Sequence, residues 1–140
     1  AMRPILAAFT VVLALSACGP AGPKRTPSAA GAKVFFVEPK NGAEVASPVA
    51  VKFGLEGMEI APAGTEKANS GHHHVLIDTK LDDINAPVPA DDAHKHFGKG
   101  QTEAELPLAP GEYKLTMQFA DGNHTSFGPP MSQTITITVE

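Results

Sequence analysis

The residues best able to do chemistry in this chain are its six histidines, and five of them fall in two short runs, His72-His73-His74 and His94-Lys95-His96. The sixth, His124, follows Asp121-Gly122. Imidazole nitrogen is a ligand for zinc and copper, at about 2 Å. In an extended chain, residues two apart point to the same side. His72 and His74 can therefore aim both rings at one point, while His73 turns inward with Val75 and Ile77. The same spacing serves His94 and His96 where that segment is extended. The expected metal ligands are His72, His74, His96 and His124, with His94 and Met58 as further candidates. Met58 and Met131 fall in expected loops, and a thioether would tilt the preference toward Cu(I). Asp91, Asp92 and Glu103 lie near in sequence and are expected to receive ring N–H groups. The expected ion is copper, with zinc second. The competing reading has no ion: the histidines then form a structural or pH-sensitive hydrogen-bond network in a non-catalytic module of the cell envelope.

Other chemistries lack their residues. Cys18 is the one cysteine, so no disulfide can form within the chain. No Gly-x-Ser-x-Gly elbow occurs, and Gly98-Lys99-Gly100 lacks the spacing of a phosphate-binding loop. Asp82-Asp83 and Asp91-Asp92 read as solvated loop charges. With no Trp and one Tyr, an aromatic platform for sugars or bases is poorly supplied. A metalloenzyme would need an open coordination position and a base such as Glu103, and the chain is read as a non-enzyme. Residues 33–140 carry eight lysines and no arginine against all 15 acidic residues, a formal charge of −7 with histidines neutral. Such a surface repels nucleic acid and attracts cations.

The elements that must position the histidines are strands. After residue 33 the apolar residues alternate with period two, and turn residues interrupt them. Strands are expected at 33–37, 48–53, 72–78, 102–106, 112–119 and 132–139, with loops at 54–69 and 79–101. The second loop is long for a compact domain, and it carries two of the histidines. The spacing predicts an all-β fold, a two-sheet sandwich of immunoglobulin-like shape with about seven short strands. Ahead of it, Arg3 and an uncharged apolar run from Ile5 to Leu15 read as a secretory signal over residues 1–17, too short to span a membrane. Leu15-Ser16-Ala17-Cys18-Gly19 resembles a bacterial lipobox, which makes Cys18 the site of lipidation. Residues 18–32 read as the lipidated cysteine and a flexible linker rich in Gly, Pro, Ser and Ala. The domain is expected over 33–140. The expected location is the periplasmic face of the envelope, anchored in a membrane through lipid, with the outer membrane favoured because Gly19 follows Cys18. Expected partners are that membrane, a metal ion and a periplasmic protein.

Several blocks carry a family resemblance: Phe53-Gly54-Leu55 and Gly57-Met58 with Ile60-Ala61-Pro62-Ala63-Gly64, Gly71-His72-His73-His74-Val75-Leu76-Ile77-Asp78, His96-Phe97-Gly98-Lys99-Gly100-Gln101-Thr102-Glu103, and Asp121-Gly122 with His124. Over roughly residues 34–139 the chain resembles the bacterial domain of unknown function 4399. The resemblance implies an exported, single-domain β protein and no established activity. Its pattern includes His72, His73, His74, His96, His124 and Met58.

Overall fold

The computed structural model describes residues 25–140, so the expected signal segment and Cys18 lie outside the described residues. Among the described residues nine strands follow in order: β1 (Lys33–Glu38), β2 (Glu44–Val45), β3 (Val49–Glu56), β4 (Glu59–Ile60), β5 (Ser70–Ile77), β6 (His94–Phe97), β7 (Glu103–Leu106), β8 (Gly111–Ala120) and β9 (Ser132–Val139). One sheet has the order β1-β3-β7. The other runs β2-β9-β8-β5-β4, and β6 also pairs with β5.

The two sheets enclose one core because their strands alternate. Val34 and Phe36 of β1, Val49, Val51 and Phe53 of β3 and Leu106 of β7 face Val75, Leu115, Met117, Phe119, Ile135, Ile137 and Val139 of the larger sheet. β8 and β9 pair in register from Gly111 opposite Val139 to Gln118 opposite Ser132. The threonines of β9 stand on the other face, where Thr134 and Thr116 share a hydroxyl hydrogen bond of 2.8 Å. The sandwich matches the expected fold class, and a tyrosine corner marks its immunoglobulin-like character: Tyr113, near the start of β8, donates its hydroxyl to the carbonyl of Ala109 at 2.7 Å.

Three strands lie outside the sequence expectation. β2 and β4 have two residues each, too few to show a period. β6 sits inside the connection expected to be loop, and it pairs antiparallel with β5. The rest of that connection folds over the outer face of the larger sheet, where Leu76, Val88 and Ala120 form a small second apolar cluster with Leu81 packed on it. Residues 25–27, expected as linker, lie against the domain. The Arg25 guanidinium donates to the Ile84 carbonyl at 2.8 Å and to Asn85 Oδ1 at 3.2 Å. The Thr26 N–H donates to Asp121 Oδ2 at 2.9 Å, and the Pro27 carbonyl accepts from the N–H of Asn69 at 2.8 Å.

Tyr113→Phe removes one hydrogen bond and leaves the packing of the ring in place. The expected cost is about 1 kcal/mol of stability, read as a lower urea midpoint at unchanged slope. An unchanged midpoint would show that the corner does not hold the connection between β7 and β8.

Candidate metal centre

The site begins with the pleat of β5. Its pairing with β8 sets His72 opposite Ala120 and His74 opposite Gln118. On its other edge, β6 sets His96 opposite His74 and His94 opposite Leu76. His72, His74 and His96 thus share the outer face of the larger sheet, and His73 takes the inner one. Paired on both sides, β5 leaves His72 and His74 fully buried.

His124 reaches the same point from a turn. Its φ of 63° is uncommon for a residue with a side chain, and the buried carboxylate of Asp121 holds the turn that requires it. Asp121 Oδ1 accepts the N–H groups of Asn123 at 2.9 Å and Thr125 at 3.0 Å. The His124 N–H donates to the Asp121 carbonyl at 2.9 Å, and the Val88 N–H donates to the His124 carbonyl at 2.7 Å. Residues 61–65 close the rim. Ala63 N–H donates to the Gly98 carbonyl and Gly64 N–H to the Gly122 carbonyl, both at 2.8 Å. Glycine is needed at both contacts: a Cβ on Gly98 would strike the His96 ring, and one on Gly122 would strike the Thr65 backbone.

The result is four converging imidazoles. Nε2 of His72 stands 3.0 Å from Nε2 of His74, 3.1 Å from Nδ1 of His124 and 3.2 Å from Nε2 of His96. One ligand nitrogen from each of the four residues lies within 4.8 Å of all the others. Four nitrogens at about 2.0–2.1 Å from a tetrahedral ion stand about 3.3 Å from one another. Three of the spacings are already near that value, so the group could hold a metal ion. His96 and His124 are less buried than the other two and form the accessible side.

Burial disfavours the charged form of three of these rings, His72, His74 and His96. It pushes His74 down to about 2, with the other histidines adding to the effect. His72 is pushed to about 4 by burial, then by His124 and His96, against an opposing pull from Asp121. His96 is also lowered, by burial first and His124 second. A neutral imidazole is the form that ligates a metal.

The other expected residues lie elsewhere. Paired at Leu76, His94 is two residues farther along the ladder than His96, about 7 Å away. Its Nδ1 meets Asp91 Oδ1 at 2.7 Å, and that contact holds the exposed Asp91 carboxyl below its ordinary range. Asp91 therefore partners His94 and not the converging four. Met58 packs against the core, and Met131 is buried in it. Glu103 is exposed on β7, in the other sheet, opposite Lys52. His73, expected to turn inward, lies fully buried, stacked on Phe53 at 4.6 Å between ring centres and tilted against Phe119 at 5.1 Å. Asp121 was expected only as part of a turn, and nothing in its local sequence shows that it would be buried.

Neither ring nitrogen of His73 has a hydrogen-bond partner, and burial, then His72, pushes the group down to about 4. His73→Phe keeps the stack and removes two unpaired polar atoms, so stability at neutral pH is expected to hold or rise. The pH dependence has a definite sign. His72, His73 and His74 have folded-state values below 6.5, so the unfolded chain binds protons first. Their contribution is complete above about pH 6.5 and is lost as pH falls, toward about 4 for His72 and His73 and toward about 2 for His74. Denaturation midpoints between pH 7 and pH 4.5 should fall, less steeply in His73→Phe; parallel curves would remove His73 from the account.

The match to a family model covers residues 51–140, a span that includes all four converging histidines. Comparison with the curated proteins and with the solved structures finds no match. The span is more than half of the chain, and the protein belongs to the family described as Domain of unknown function (DUF4399).

Proposed function

We propose that this protein is an exported, lipid-anchored metal-binding protein that holds one copper ion, with zinc the second choice, through His72, His74, His96 and His124. The observation that carries the reading is the crowding of nitrogens about Nε2 of His72, with three other ring nitrogens within 3.2 Å. A neutral imidazole nitrogen either donates one hydrogen or accepts with one lone pair. It cannot satisfy three nitrogen neighbours by hydrogen bonding, whereas a central cation takes the lone pairs of all four rings. The structural-network reading is weaker for this reason. Its pH-sensitive form is weaker still, because burial places His72 and His74 far below the range where free imidazoles titrate.

The donor set favours a divalent ion. Among the described residues, Met58 and Met131 pack on the core and away from an all-nitrogen donor set. Imidazole suits both Cu(II) and Zn(II), and Cu(II) stands highest in the general affinity order. Four protein nitrogens fill a four-coordinate shell and leave no position for a reacting water, as in structural sites. Holding and transferring the ion therefore fits better than turnover, with His96 and His124 on the side from which it is loaded. The lipid anchor rests on Leu15-Ser16-Ala17-Cys18-Gly19, and the acidic surface suits cation capture.

Chelator-competition titrations with Cu(II) and Zn(II) test the reading. One ion per chain is expected, and a hundredfold excess of ion over Kd should add about 2.7 kcal/mol to stability. His124→Ala and His96→Ala should each weaken binding by more than about 100-fold, beyond the usual cost of losing a ligand's outer partner, with the fold intact. His94→Ala should bind as wild type does. Equal loss in all three variants would point to nonspecific histidine binding, and no binding by folded wild type would end the metal reading.

A further inference from the structure

Asp121 joins two parts of the chain that are 95 residues apart. Its side chain is fully buried. Oδ1 holds the N–H groups on either side of His124, and Oδ2 holds the N–H of Thr26. Residues 25–27 are fastened on both flanks of that contact. Arg25 binds the carbonyl of Ile84 and the side chain of Asn85, and the Pro27 carbonyl binds Asn69. His124 in turn fixes the covering connection through Val88.

We infer that Asp121 is the positioning residue of the histidine site, and that the site is complete only when residues 25–27 are docked on its carboxylate. The inference rests on the metal reading and adds two things to it. One is a carboxylate that holds a ligand in place without touching the ion, through the backbone N–H groups on either side of it and not through its ring. The other is a mechanical link: the segment leading toward the N-terminus ends on the group that sets the backbone of His124. A chain lacking that segment keeps all four histidines and loses the donor that holds Asp121 Oδ2. The left-handed backbone of His124 depends on its surroundings, so loosening the turn withdraws one ligand of four.

The test uses the full chain and Cu(II), with affinity from chelator competition and geometry from electron paramagnetic resonance. Asp121→Asn is expected to weaken binding 10- to 100-fold and to change the copper hyperfine pattern. Thr26→Pro removes the N–H donor together with the Thr26 side chain, whose buried hydroxyl has no hydrogen-bond partner to lose, and is expected to weaken binding at least about threefold with the same spectral change. In a His124→Ala background the Asp121→Asn effect should shrink to less than about threefold, because the ligand it positions is gone. The same fractional loss in both backgrounds would overturn the inference, as would wild-type affinity and spectrum in Thr26→Pro. Should Asp121→Asn fail to fold, Thr26→Pro decides alone. Wild type that binds no copper fails the metal reading itself, a different outcome from wild type that binds and variants that bind equally.

Discussion

Pairing of β5 on both edges is the constraint on which the site depends. A strand held by β8 on one side and β6 on the other cannot slide by one residue without turning every side chain to the opposite face. Three consecutive histidines on that strand are thereby divided between two environments. His73 is committed to the core with Phe53 and Phe119, and His72 and His74 are committed to the outer face under the covering connection. The apolar packing of Val75, Leu115, Met117 and Phe119 fixes that choice. The energy that holds His72 and His74 in place is the burial energy of the sandwich.

Built on that rigid pair, the outer half of the site is assembled from loops. His96 arrives on the short β6, and His124 arrives on a turn organised by a buried carboxylate. Residues 61–65 tie both together through Gly98 and Gly122. Burial disfavours the charged forms of His72, His74 and His96, and the four rings crowd more closely than hydrogen bonding among them can satisfy. Nitrogens crowded in this way could hold a cation.

Much of the sandwich was legible in the sequence, and the reasons are physical. β3, β8 and β9 each bury one face against the core, so period two stands out in their residues. β2 and β4 are too short for any period, and β6 reads His-Lys-His-Phe, which is indistinguishable from polar loop until β5 is beside it. The convergence of His72 with His74 followed from the pleat. The separation of His94 from His96 did not, since both have the same local spacing and differ only in their register against β5. Asp121 was hidden for a similar reason: Asp-Gly signals a turn, and the contact with Thr26 that buries its carboxylate is entirely long-range.

X-ray absorption of the copper- or zinc-loaded chain is the most direct measurement of the central claim, that four imidazoles share one ion. The account expects four nitrogen scatterers at about 2.0–2.1 Å, with the outer-ring scattering of imidazole and no sulfur. A sulfur scatterer, or fewer than three imidazoles about the ion, would contradict it.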